Sequence, residues 1–296
     1  MAEEKAANRL AVRKTYKLYI NGEFPRTESG RFYEVMSSNG NRVLANACRG
    51  SRKDVRNAVA AARKAFAAWS GKTAANRGQI LYRIAEVCEA RASELEQELQ
   101  QWGVRRTEAR KEVEQTIDRF VYYAGWSDKY PQILGSVNPV AGPYYNFTVP
   151  EPTGVVGIIA PEQPALLGII SRLAPAMVSG NTVVALTSAS NPLPAITLGE
   201  VFQTSDVPAG VINLISGIKT ELAPWLAAHM DVNAIDVSGA EGDLRKQLET
   251  SAAENVKRSV AFDAEKFGWN DPRQSQSIYA IADFLEMKTV WHPMGM

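Results

Sequence analysis

Thiols are scarce in this sequence. Its 296 residues hold two cysteines, Cys48 and Cys88, and none follows Cys88. Without a CxxC pair there is no disulfide scaffold or zinc knuckle, and a reducing, cytoplasmic setting is expected. Histidine is equally rare: His229 and His292 stand far apart and offer no metal-ligand spacing. No uninterrupted apolar run approaches the ~18 residues of a membrane span. The opening MAEEKAANRL is charged and lacks the apolar stretch of a secretory signal. Neither sign of charge dominates, with 33 basic against 32 acidic residues. Neither nucleic acid nor an anionic membrane is therefore expected as a partner.

What is present is material for a sizeable core, since 45% of residues are hydrophobic. Residues 1–15 are polar and irregular and read as a mobile leader. Lys17 to Glu23 reads as a short strand closed by an Asn21-Gly22 turn. Ser51 and Asp54 form an S-x-x-D start signal, after which Val55, Ala58, Val59, Ala62, Phe66 and Trp69 recur at helical spacing. A second helix is expected from about Gly78 to Trp102, with Leu81, Ile84, Cys88, Leu95, Leu99 and Trp102 on one face. Cys88 then lies on a buried stripe, as a small hydrophobe rather than a nucleophile. A third helix is expected over Thr107–Ala124. Tyr144–Val149 reads as an aromatic strand in a protruding hairpin, whose open edges call for a partner.

From residue 153 the pattern becomes regular. Apolar strands are expected at Val155–Ala160, Thr182–Leu186, Val211–Ile215, Ala234–Val237 and Ser259–Phe262, with helices near 165–179, 193–204, 219–229 and 241–254 between them. Apolar strands alternating with helices predict an α/β fold, a Rossmann-like doubly wound parallel sheet of about five strands. The chain divides into an amino-terminal helical part (1–130), a hairpin (131–150), a Rossmann-like core (151–266) and a tail (267–296). Ligands of such sheets bind outside the carboxyl ends of the strands. Those ends are Ala160-Pro161, Leu186-Thr187, Ser216-Gly217 and Val237-Ser238-Gly239.

The segment EPTGVVGIIAPEQPALLGIISRLAPAMVSGNTVVAL (Glu151–Leu186) closely resembles the aldehyde dehydrogenase superfamily, as do VPAGVINLISG (207–217) and HMDVNAIDVSGA (229–240). Earlier stretches, YINGEF, AVAAARKAFAAW and ILYRIAEVCEARASELEQ, fit the same family in the same order. The resemblance covers roughly residues 16–266. It implies a Rossmann-like NAD domain, a catalytic domain bearing a cysteine, and an oligomerisation hairpin whose first piece Ile133–Pro150 resembles. About 30 residues follow the fifth strand, so the catalytic lobe is expected to be absent. That ending resembles the truncated second unit of tandem, family-sixteen-type aldehyde dehydrogenases.

The resemblance also states what the chemistry requires. A thiolate must attack the carbonyl carbon, from a motif after the fifth strand, and no cysteine stands there. The oxyanion donor of the family is an Asn; Gln163 falls on its position. The general base is a Glu in E-L-G-G-K. Here Phe262 occupies the Glu position, with Asp263 one residue off as a possible relic. The ribose clamp K-P-x-E is matched by Thr187-Ser188-Ala189-Ser190, which replaces both charges with hydroxyls. The turn that meets the pyrophosphate reads Ser238-Gly239-Ala240-Glu241-Gly242-Asp243, where two carboxylates repel a phosphate. If a dinucleotide still binds, Ile159, Pro161, Gln163, Thr187, Ser190, Gly217, Ser238 and Gly239 are its expected contacts. The cofactor expectation is therefore none, or weak NAD(P).

The resulting expectation is a non-catalytic, pseudoenzyme-like subunit of the aldehyde dehydrogenase family. It would assemble with a complete aldehyde dehydrogenase or with itself, through the Tyr144–Val149 strand and the tail. Two rivals remain: an NAD-binding regulatory protein without chemistry, and an NAD-dependent aldehyde oxidoreductase active only in complex. Within the tail, Ser277–Met287 reads as a helix, and Lys288–Pro293 as an extended segment covering an edge of this chain or of a partner.

Overall fold

The computed structural model describes residues 12–295; most of the expected leader, residues 1–11, lies outside them. Thr15 does not belong to a leader, because β1 (Thr15–Tyr16) pairs in parallel with β3 (Val43–Cys48), and β2 (Phe32–Met36) lies antiparallel on β3's other side. The expected strand at Lys17–Glu23 is reduced to its turn. Asn21 and Gly22 adopt φ of 56° and 76°, as a tight hairpin turn requires. Tyr19 exchanges backbone hydrogen bonds of 3.0 and 2.7 Å with Leu214. The local hairpin keeps its own pairing, with Ile20 and Glu23 exchanging hydrogen bonds of 3.0 Å, so the segment lies between its return strand and the edge of the central sheet.

Four helices follow: α1 (Arg52–Ser70), α2 (Ala74–Ala90), α3 (Ala92–Trp102) and α4 (Arg106–Trp126). Ser51 and Asp54 close a full capping box on α1. The single helix expected over Gly78–Trp102 is two helices. It begins four residues earlier, capped by Thr73, and breaks at Arg91, which leaves helical geometry at φ −111° and ψ 12°. There the Arg91 guanidinium bridges Glu94 and Glu200. Cys88 and Leu95, one on each side of the break, are both fully buried, so the apolar stripe runs through it.

A short helix α5 (Tyr130–Leu134) leads into the hairpin strands β4 (Ser136–Asn138) and β5 (Tyr144–Pro152). The core then alternates β6 (Val155–Ile159), α6 (Leu167–Val178), β7 (Thr182–Leu186), α7 (Leu193–Gln203), β8 (Ile212–Ile215), α8 (Lys219–Ala228), β9 (Ala234–Asp236), α9 (Gly242–Glu254) and β10 (Arg258–Val260). All five strands are parallel, in the order β10-β9-β6-β7-β8. Side-chain alternation divides the core into two layers. Val156, Ile158, Val183 and Ala185 pack beneath α2, α3, α4, α6 and α7. Val155, Ile159, Val184 and Leu186 pack against α1, α8 and α9. The architecture is therefore the doubly wound α/β sheet.

The tail is where sequence patterning misleads. After α10 (Pro272–Ser275), α11 stops at Ala282 (Ile278–Ala282), and Leu285–Pro293 forms β11, antiparallel to β5 along its whole length. Leu285 and Met287, expected on a helix, are strand residues opposite Pro152 and Pro150. An open β5 edge offers backbone pairing that overrides a short helical pattern. The edge covered by the tail is this chain's own. Among the described residues no helix is long and apolar enough to cross a membrane.

Candidate functional site at the carboxyl edge of the parallel sheet

The parallel topology brings the expected contact residues to one edge. Ile159 ends β6 and is buried; its carbonyl accepts the Gly239 N–H at 3.1 Å. Gly239 must be glycine, because a Cβ there would lie 2.2 Å from the Ala160 carbonyl oxygen. Pro161 is buried under α6, where a Cβ on Gly168 would meet its Cγ at 2.4 Å. Gly217 closes β8 against Gly50 and Leu222, whose Cδ1 would be 2.6 Å from an added Cβ. Ser238 uses its hydroxyl to accept the Phe262 N–H at 3.2 Å, and its own N–H donates to Asp236 at 2.9 Å. Gln163 is exposed.

The hydroxyls at the ribose-clamp positions are engaged within the chain. Thr187 is buried and donates to the Ser188 carbonyl at 3.2 Å. Ser190 donates to Glu162 through both its hydroxyl, at 2.8 Å, and its N–H, at 3.0 Å. Ser188 adds a hydroxyl donor at 2.9 Å and Ala189 its N–H at 3.3 Å. Lys219 completes the ring, its ammonium 2.5 Å from the Glu162 carboxylate and 2.5 Å from the Ala160 carbonyl. Partial burial alone would raise the Glu162 carboxyl. The Lys219 charge and the serine donors outweigh it and bring the group down to about 2. Burial pulls the Lys219 ammonium below its ordinary value despite its partner.

Neither Glu162 nor Lys219 stands out in the sequence by motif. Lys219 carried one signal, a cation at the first residue of a helix, where the dipole disfavours it. The Glu162 carboxylate partner resolves that conflict.

The position of the expected general base is filled by an aromatic cluster. Phe262 sits 4.6 Å from Phe267 and 5.6 Å from Trp269, centroid to centroid, with Leu167 beneath. The strand expected to reach Phe262 ends at Val260, so strand alternation does not govern Asp263. Asp263 is tied to Lys266 at 2.7 Å, and that hydrogen bond holds its carboxyl below the usual range. Such a group is a poor proton acceptor near neutrality. Beside the cluster, the fully buried Arg172 bridges Asp236 and Asp283, the latter at 2.7 Å. Burial would lower its pKa, but the two carboxylates raise it.

A cavity of about 250 Å3 remains between Ser238–Gly242 and Phe262–Glu265, beside the start of α9. Glu241, Asp263 and Glu265 line it, opposed by Arg245 alone. Among the described residues no cluster of His, Cys, Asp and Glu suits a metal ion.

Residues 24–262 match the model of the aldehyde dehydrogenase family. The chain is 34% identical over 246 residues to mitochondrial benzaldehyde dehydrogenase of Antirrhinum majus, covering 81% of this chain and 45% of that protein. Among solved structures, HpcC from Thermus thermophilus superposes with a TM-score of 0.79 at 33% identity, covering 84% of this chain and 48% of HpcC. An NAD+ complex of aldehyde dehydrogenase from Bacillus cereus superposes at 0.77 with 29% identity, covering 84% and 50%. The chain thus spans about half the length of these relatives.

Proposed function

The chain belongs to the aldehyde dehydrogenase family, and we propose that it serves there as a non-catalytic subunit, assembling with a complete aldehyde dehydrogenase or with a second copy of itself. The observation that carries this reading is the occupied cleft edge. Glu162, held by Lys219 and the Ser188–Ser190 loop, takes the hydrogen-bond donors at the ribose-clamp positions. Phe262, packed on Phe267 and Trp269, fills the position expected for the general base. The parallel sheet and the apolar layers on both its faces are nonetheless intact, which suits retention for assembly. Tyr144, Tyr145 and Trp291 are each more than 40% exposed on the β4-β5-β11 sheet, which offers the contact surface. Two buried free thiols suit a reducing, cytoplasmic location.

The test is affinity purification of the native chain with mass spectrometry, alongside size-exclusion chromatography with light scattering. Co-elution of a complete dehydrogenase, or a defined homo-oligomer, is the expected result. A strict monomer that captures no dehydrogenase overturns the proposal.

One observation favours a second reading, a regulator that binds NAD(P) weakly without chemistry. The cavity beside α9 stays open, and Gly239 keeps the backbone close to β6. Calorimetric titration decides it: no heat at about millimolar cofactor rejects this reading.

A further inference from the structure

The opposite end of α8 carries a second concavity. Arg52 and Arg56, one turn apart near the start of α1, face Trp225, Ala228 and His229 across a cavity of about 230 Å3 floored by Val55. The Arg52 guanidinium lies 3.9 Å from the centroid of the Trp225 ring, an indole left 43% exposed. Among the described residues neither arginine pairs with a carboxylate. The acids nearby in sequence are already engaged: the Asp54 carboxylate accepts from the Ser51 N–H and from Thr27, Glu28 pairs with Lys53, Glu221 with Arg49 and Asp231 with Arg63. No acidic side chain lines the cavity.

His229 Nδ1 accepts the Asp231 N–H at 3.2 Å, which leaves the ring's other nitrogen as a donor. Burial lowers the His229 pKa. The amino end of the 19-residue α1 adds a favourable field for an anion. The carboxyl end of α8 opposes it, but its Leu226 and Ala228 carbonyls already accept N–H groups from His229 and Asn255.

We infer that this cavity is a binding site for a small phosphomonoester, with its phosphate between Arg52 and Arg56 and its carbon body on Val55 and Trp225. Two unpaired guanidinium forks suit a phosphate dianion, and an apolar floor beside them suits a short organic body. The volume admits a phosphate with a few carbons and is too small for a dinucleotide. The site is also separate from the cleft edge, which lies at the Lys219 end of α8, about 15 Å away along the helix.

The experiment is titration of the full chain with glycerol phosphate, inorganic phosphate and sulfate, read by calorimetry and by Trp225 fluorescence against Trp225→Phe. Saturable binding is expected, tighter for glycerol phosphate than for inorganic phosphate or sulfate. The double variant Arg52→Gln/Arg56→Gln should weaken it by about tenfold or more, whereas the surface control Arg106→Gln should leave it unchanged. No saturable binding up to about 10 mM, or equal loss in the control variant, overturns the proposal. So does equal affinity for all three anions. Circular dichroism of each variant checks folding, and sedimentation with and without ligand keeps this outcome distinguishable from any failure to assemble.

Discussion

At the scale of single residues, Glu162 and Lys219 decide what the sheet edge can do. The sequence places hydroxyls at Thr187, Ser188 and Ser190, where the family resemblance implies a ribose clamp. Only the folded chain shows that a carboxylate 25 residues upstream of Thr187 already holds this loop. That contact joins two βα turns and has no periodicity from which to be read. It carries a pH signature. The folded Glu162 carboxyl titrates at about 2 against an ordinary 4.5. Its stabilisation is therefore complete above pH 4.5 and is lost as the pH falls through about 2. Glu162→Gln is expected to lower the melting temperature above pH 4.5, with the gap to wild type closing towards pH 2. Thermal melts across that window check it, and a gap independent of pH would contradict the assignment. The partial exposure of Glu162 keeps the effect modest.

At the scale of elements, strongly patterned segments were legible and boundaries were less so. The β7 strand falls on its expected residues, because a two-sided apolar run flanked by turns has few alternatives. The break at Arg91 was hidden, since the apolar stripe continues through it in phase. In the tail, the extended Lys288–Pro293 was legible as an edge cover, but its start at Leu285 was hidden, because residues 285–287 become strand only against β5. What seats that tail is Arg119 of α4. Its guanidinium donates to Ser171 at 2.7 Å, to the Ser275 carbonyl at 2.7 Å and hydroxyl at 2.9 Å, and to the Trp269 carbonyl at 3.2 Å. Arg119→Met removes these four buried hydrogen bonds and leaves the Trp269 carbonyl without its side-chain donor. It is expected to cost about 2–4 kcal/mol in urea unfolding. Hydrogen exchange should quicken first across residues 267–284, ahead of α4 itself.

At the scale of the whole molecule, the two thiols report on the packing of both layers. Cys88 lies in the layer under α2, where burial pushes its thiol up to about 12, and Cys48 is buried in the layer under α1. Neither is expected to react with a chromogenic disulfide reagent in the native state at pH 7, and both should react once the chain is unfolded in guanidinium. Rapid native labelling of Cys88 would show that the helical layer opens.

The sequence alone determined the doubly wound sheet and the family resemblance, because apolar periodicity and short motifs are local properties of a chain. The tertiary structure decided which groups occupy the emptied positions. The Glu162–Lys219 pair, the Phe262–Phe267–Trp269 cluster and the β5–β11 pairing each join residues from separate elements. Burial and hydrogen-bond demand select such partners only after the chain has closed on itself.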